Sequence, residues 1–496
     1  MRGRAFQKLR ILFLLLGLAA LAMAFPLVMA AAAGEEDMLG PFLISALPVL
    51  TASLLFFFAG RRRVPASPGG APQDPVRFNA SDGFLLVFLA WALTCLMGAL
   101  PYYLSGRLPR FSDAVFESVS GFSTTGATVI ADVESLPRSL LLWRGMTHWL
   151  GGMGIVLLTV ALLPLLGLGG FQMVKAETPG PEKDRIAPKI TATAKILWMI
   201  YVTLTALQIL LLRLGGMGWF DAVFHAFSTM ATGGFSSRNE GIGFYHSPWI
   251  EWVCTVFMIL AGFNFSLLYR FLQGRYRDVF CNSEARAYGA VMLMAAFIVA
   301  CSLAAPEPGL SVPDALRLAF FHTASIMTST GLAIDNHDLW PSLAKAALFL
   351  LFLVGGCSGS TAGGVKVIRH VVLWKQMGNE MRRLLYPKGV FSIQLNSRAG
   401  RKDVVYGVAA FVFVYALTAA AAALLVSTAG VDLFSSLVAA LITLGNIGLG
   451  IGKFGPGAAF YDLPDYVKWG LSLVMIAGRL ELWTVLAFFS PAYWRR

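Results

Sequence analysis

The chain has 496 residues, of which 57% are apolar and only 13% charged, against the roughly 25% charge of an ordinary soluble domain. That balance excludes most soluble proteins and indicates an integral membrane protein. The net charge of +12 therefore bears first on orientation in a bilayer rather than on nucleic acid. The five cysteines (Cys95, Cys254, Cys281, Cys301 and Cys357) have none of the close paired spacings of a zinc site or redox dithiol.

Apolar runs near or above the roughly 20 residues needed to cross a bilayer recur along the chain, and the alternation of a membrane barrel is absent. The fold class is all-α integral membrane. The first run, Ile11 to Ala33 behind Arg2, Arg4, Lys8 and Arg10, is longer than the apolar core of a secretory signal and reads as a retained helix. Ten spans are placed at 10–33, 41–60, 82–105, 138–168, 191–215, 248–272, 285–305, 341–374, 403–428 and 464–490. Residues 69–75, rich in Pro and Gly, read as a linker that sets the first helix pair apart.

Ten crossings put both termini on one side. Loops on that side carry Arg61, Arg62 and Arg63; Lys175, Lys183, Arg185, Lys189 and Lys195; Arg270, Arg275, Arg277 and Arg286; and Lys366, Arg369, Lys375, Arg382, Arg383, Lys388, Arg398, Arg401 and Lys402. The opposite loops carry Glu35, Glu36, Asp37, Glu307, Asp335 and Asp338. The positive-inside rule makes the termini cytoplasmic.

Between spans three and four, five and six, seven and eight, and nine and ten stands a shorter segment that opens on aspartate and ends in glycine. These run from Asp113 to Gly126, Asp221 to Gly234, Asp314 to Gly331 and Asp432 to Gly448. The first two share Asp-Ala-Val-Phe and the same Asp-to-Gly spacing, the mark of an internal repeat. A helix of about 10 to 15 residues reaches only the middle of a ~30 Å core and must turn back there. The aspartate is expected to cap free amides at its start, and the negative end of the dipole then faces the membrane centre, which favours a cation.

The segments that follow these helices are the candidate site: Thr124, Thr125 and Gly126; Thr232, Gly233 and Gly234; Ser329, Thr330 and Gly331; Asn446, Ile447 and Gly448. Small residues let extended backbone turn carbonyls to an axis, where they replace a cation's hydration shell, and four such strands make a selectivity filter. The other reading of the same residues is small-residue helix packing.

These residues resemble the potassium-transporter superfamily that contains the bacterial Trk and Ktr membrane subunits and the plant HKT transporters, and the Trk branch most of all. The resemblance extends to Trp149-Leu-Gly-Gly-Met-Gly-Ile155, Ala176-Glu-Thr-Pro-Gly-Pro181, the stretch from Gly355 to Lys366, and Gly478-Arg-Leu-Glu481. It implies four pseudo-repeats of helix, re-entrant pore helix with filter, and helix around one pore. The expected boundaries are 1–75 for the helix pair and linker, then repeats at 76–175, 176–280, 281–390 and 391–496. It also implies one filter glycine per repeat, with K+ as the transported ion bound in the filter. Glycine in all four accompanies potassium preference, whereas serine in the first marks sodium-preferring relatives. The fourth filter departs in having Leu449 where the Trk type has proline.

The resemblance further implies a gate: Gly355, Gly356, Gly359, Ser360, Thr361, Gly363 and Gly364 form an intramembrane loop that obstructs the pore, with Arg479 projecting beneath the filter. The residues alone leave open a glycine face for helix packing and an Arg479–Glu481 salt bridge. Its expected partners are a second copy of the chain, membrane lipid and a cytosolic nucleotide-binding regulatory subunit of the TrkA kind, with no nucleic acid, in the bacterial inner membrane.

Other signals carry less. Gly450 to Gly455 matches a dinucleotide fingerprint only by letter, with no strand before it. His148, His225 and His322 are read as structural groups rather than proton shuttles, and Glu117 as a support of the filter. No convergent nucleophile, base or metal set points to an enzyme. A proton- or sodium-coupled cation symporter and a channel weakly selective between potassium and sodium remain as alternatives.

Overall fold

The computed structural model describes residues 2–62, 80–154, 190–305, 310–396, 398–399, 402–489 and 491–495. The linker at 69–75, the motif at 176–181, Lys175, Lys183, Arg185, Lys189 and the second part of the span expected at 138–168 lie outside them. The described residues are helical apart from turns, loops and one two-residue antiparallel pair, Gln394–Leu395 with Arg398–Ala399.

An N-terminal hairpin is formed by Arg2–Ala22 and Ala24–Ala33 on one side and Glu36–Arg62 on the other. Gly34, at φ 71°, turns the chain between them. Glu35 leaves that turn and accepts from the amides of Arg138 and Ser139 at 2.8 and 3.1 Å, so it satisfies the free start of a helix in the main body.

In the rest of the chain a long helix, a short helix and a second helix succeed one another four times. The long ones are Ala80–Leu104, Ile190–Leu214, Ser283–Ala304 and Lys402–Ser427. The short ones are Phe111–Phe122, Trp219–Met230, Val312–Met327 and Leu433–Leu444. At 12 or 16 residues they extend about 18 to 24 Å, too little to cross. Large apolar side chains on the outside of the spans, among them Leu210, Phe297, Leu350, Phe413 and Leu424, are exposed, as a lipid-facing surface requires.

The second helices depart from the sequence reading, which drew most of them as continuous. They begin as Arg138–Gly152, Pro248–Ala261, Ser342–Leu351 and Asp465–Arg479 and then stop. The span expected at 248–272 bends by 102° before it resumes as Phe265–Leu272. The span expected at 464–490 ends at Arg479, where Glu481 and Leu482 take left-handed backbone at φ 57° and 43°. By length and composition, six described helices are able to cross a membrane alone, and the bent pair makes a seventh, against ten expected. The breaks have a hydrogen-bonding cause. Carbonyls of Gly151, Gly152, Ala261 and Gly262 take donors from elsewhere in the protein, and Asn264 caps the resumed helix by accepting from the amides of Ser266 and Leu267.

The expected aspartate caps are also corrected. Only Asp432 caps its helix, accepting from the Ser435 amide at 2.9 Å, while Ser311 caps the third. Asp113, Asp221 and Asp314 sit one turn further in, still at the positive end of the dipole but bonded elsewhere. Asp113 meets Lys468 of the last second helix at 2.5 Å, with both side chains buried. This pair joins the first unit to the fourth. Arg317 to Glu251 at 3.1 Å joins third to second, and His337 Nε2 to the Gly450 carbonyl at 2.8 Å joins third to fourth.

Removing one member of a buried ion pair strands the other, at a cost of about 3–5 kcal/mol, whereas removing both costs far less. Lys468→Met is therefore expected to lower the melting temperature in detergent sharply, and Lys468→Met with Asp113→Leu to restore much of it. Equal melting of the single and double variants would contradict this account.

Candidate functional site

Each short helix ends the same way. The residue after the C-cap takes left-handed backbone: Thr124, Thr232, Ser329 and Asn446 have φ of 54°, 53°, 54° and 53°. Their amides donate to the carbonyls of Gly121, Thr229, Ile326 and Thr443. The next amides, of Thr125, Gly233, Thr330 and Ile447, reach back to Ser120, Ser228, Ser325 and Ile442 at 2.8–2.9 Å. This pair of bonds is the Schellman ending, whose left-handed position normally holds glycine. Threonine there costs of order 1–2 kcal/mol, and the sequence reading, which followed the glycines, gave no sign of it.

One residue further stands the glycine. Gly126, Gly234, Gly331 and Gly448 have φ of 84°, 87°, 76° and 72°. A Cβ built on Gly126 would collide with the carbonyl oxygen of Gly233, one on Gly234 with that of Thr330, one on Gly331 with that of Ile447, and one on Gly448 with that of Thr125. Each glycine thus lies against the carbonyl that precedes the next glycine, and the fourth returns to the first. The four segments surround a single axis in chain order. All twelve residues singled out in the sequence take equivalent places in this ring.

Buried polar groups brace the strands beyond the ring. Glu117 accepts from Thr128 Oγ1 and the Val129 amide at 3.0 Å and from Arg144 Nε at 2.7 Å. Arg144 also donates to the Ser236 carbonyl at 3.0 Å and lies over the Phe235 ring. His225 donates from Nδ1 to the Asp221 carbonyl, which leaves Nε2 to accept from Ser236 Oγ. His322 Nε2 lies 3.3 Å from the Asp335 carbonyl, and His148 stacks on Phe235. Glu117, His225 and His322 each precede their glycine by nine residues; Ala439 holds that place in the fourth segment, whose strand His337 braces instead. His148 Nδ1 lies 3.4 Å from Ser228 Oγ, and its buried Nε2 has no partner among the described residues.

On one side of the ring a cavity of about 940 Å³ has the four glycines among its lining, with Arg144, Arg238, Arg317, Glu240, Glu251 and Asp335. Arg317 is paired with Glu251 and Arg238 with Asp221, so much of this charge is internally compensated.

On the other side lies the glycine-rich loop between Leu351 and Val367. The Gly355 amide donates to the Val365 carbonyl at 2.9 Å and the Val367 amide to Gly356 at 3.1 Å, which folds the loop on itself. Gly363 has no room for a Cβ beside the Gly445 carbonyl, nor Gly355 beside that of Gly363. Cys357 donates its amide to Gly262, and Ser358 its amide to buried Glu284 at 2.6 Å. The Gly359 carbonyl accepts from the Phe265 amide at 3.1 Å, and Ser360 Oγ donates to Cys357. Gly364, at φ 69°, packs on Gly355. Thr361 Oγ1 lies 3.1 Å from the carbonyls of Met230 and Ala261.

Arg479 closes the arrangement by donating to the Thr361 carbonyl at 2.8 Å and to those of Gly151 and Gly152 at 2.7 Å. Glu481, the alternative partner considered for it, has its Oε2 bound by Arg369. Arg144, Lys468, Asn264 and Glu284 were not singled out in the sequence. Arg144 and Lys468 carried the same signal as Arg479, a charge inside an apolar run.

The family model described as TrkH, cation transport protein, matches residues 65–287 and 308–496. The chain is 40% identical over 429 residues to the Trk system potassium uptake protein TrkH of Salmonella typhimurium, covering 85% of this chain and 88% of the relative. It is 34% identical over 463 residues to the TrkG protein of Escherichia coli K12, covering 92% and 95%. The crystal structure of the potassium transporter TrkH from Vibrio parahaemolyticus superposes with a TM-score of 0.85 at 33% identity, over 99% of both chains.

Proposed function

The chain belongs to the TrkH family of cation transport proteins, and from that premise we propose that it takes up potassium through a ring-shaped filter closed from below by its own intramembrane loop. It is a multi-pass membrane protein, the membrane component of a Trk system, and not an enzyme. Potassium is its transported ion. The observation that carries the filter reading is the closed ring of glycines, each against its neighbour's carbonyl.

In this reading the ion enters the 940 Å³ cavity from outside the cell. It exchanges water for the carbonyls of Thr125, Gly233, Thr330 and Ile447 and their neighbours. It then meets the loop at 355–364, which lies across its path, and the fixed positive charge of Arg479. Three functions fall to the chain's own residues. The strained left-handed positions set the spacing of the carbonyls, Glu117 and Arg144 hold the first and second strands in place, and Arg479 with the loop withholds passage. The repeats at 76–175, 176–280, 281–390 and 391–496 each supply one quadrant, and 1–75 supplies the outer hairpin.

We also propose that the chain works as a homodimer with one pore per protomer, in the bacterial inner membrane with both termini cytoplasmic. Its gate answers to a TrkA-like nucleotide-binding subunit docked on the basic cytoplasmic loops. Coupled symport generally uses a carboxylate able to change partners near the midplane. Glu117, the buried carboxylate that braces the first filter strand, is held in an ion pair with Arg144, which favours the pore reading.

Potassium and sodium uptake into proteoliposomes holding the purified protein tests this. Passive flux that prefers potassium, follows the potassium gradient and is indifferent to a proton or sodium gradient is the expected result. Uptake against a potassium gradient driven by either of those ions would replace the pore by a symporter, and no cation uptake by folded protein would end the filter reading.

A further inference from the structure

The four left-handed residues share a backbone but use their side chains differently. Thr124 Oγ1 is buried without a partner among the described residues, and Thr232 Oγ1 donates to the adjacent Ala231 carbonyl. Asn446 turns sideways to Thr125 Oγ1 and the Met475 carbonyl. Ser329 alone among the four bonds the loop: its Oγ accepts the Gly363 amide at 2.5 Å while its own proton goes to the Thr328 carbonyl at 2.7 Å. One side chain therefore holds the third filter strand and the gate at once.

We infer that Ser329 is a positioning residue for the gate, a latch through which the third filter strand holds the loop closed; this rests on the filter-and-loop reading above. The segment from Thr361 to Gly363 is fastened from three directions. Thr361 Oγ1 reaches Met230 and Ala261 in the second unit, Arg479 of the fourth holds the Thr361 carbonyl, and Ser329 of the third holds the Gly363 amide. Gly363 also packs against the Gly445 carbonyl, with no room for a Cβ. Movement of this segment away from the filter gives up the Ser329 bond, and the amide buried in the closed state then needs water. Without the hydroxyl, that amide is unsatisfied only while the gate is closed, so the closed state alone is weakened.

Ser329→Ala is expected to raise potassium flux in proteoliposomes roughly five- to a hundredfold, the fold-change for leaving one buried donor unsatisfied in the closed state. Ser329→Thr keeps the hydroxyl on a backbone that threonine already occupies at positions 124 and 232, and should restore parental flux. In a protein lacking residues 355–364, Ser329→Ala should raise flux no further. Should alanine misfold, Ser329→Cys reports the same bond through a weak sulfur acceptor.

Parental flux in Ser329→Ala, an equal effect with the loop removed, or a loss of selectivity in place of a rise in flux would each overturn the latch. A folded loop deletion that conducts no more than the parent would overturn the gate reading and the latch with it. A conducting deletion beside an inert Ser329→Ala overturns the latch alone.

Discussion

Gly126→Ser is expected to reduce the preference for potassium over sodium by about tenfold or more, the effect of an error of ~1.4 kcal/mol between two ions. Two separate conflicts converge on that residue. Its φ of 84° is one that a side chain occupies only at a cost of order 1–2 kcal/mol. The new Cβ also points into the carbonyl oxygen of Gly233, a member of the ring. The backbone has to yield on one side or the other, and either movement changes the separation of carbonyls between the first and second strands. Because the ring closes on itself, the displacement reaches the ion rather than the protein surface. The measurement is the ratio of potassium to sodium flux in proteoliposomes, with folding checked by gel filtration. An unchanged ratio in a folded variant would remove these glycines from the selective step.

Arg479→Ala is expected to raise flux by roughly ten- to a hundredfold, the range for losing charged hydrogen bonds worth about 1.5–3 kcal/mol. Arg479 binds three carbonyls on two different elements, the loop and the end of Arg138–Gly152. A planar fork suits that geometry, whereas lysine is a single point of charge. Arg479→Lys therefore separates two contributions. Flux close to that of alanine shows that the bonds to the loop close the path; flux close to the parent shows that positive charge alone repels the cation. If Arg479→Ala conducts no better than the parent, neither account stands.

The sequence showed the parts of this fold that depend on local spacing. The shared Asp-Ala-Val-Phe and the glycine at a fixed distance beyond it located the first two ring segments, and the density of glycine between Gly355 and Gly364 located the loop. Features set by tertiary partners stayed hidden. Nothing about Glu481 or Leu482 breaks a helix by propensity, yet the last span ends there, just beyond Arg479. Threonine is a poor choice for left-handed backbone, so Thr124 and Thr232 looked like ordinary filter residues. Asp113 looked like a cap because its partner, Lys468, is 355 residues away. In each case the residue was visible in the sequence, and what it met across the fold was not.

The ring is written once along a single polypeptide, with each quadrant encoded separately. A ring of four identical chains has to repeat every side chain four times, and an arginine on its axis would become four mutually repelling charges. Here one arginine in the fourth quadrant and one loop and one serine in the third suffice, while Glu117, His225, His322 and Ala439 fill one equivalent place with three different residue types. Substitutions in this chain thus act with a stoichiometry of one, so that selectivity and closure can be altered in separate quarters of the same ring.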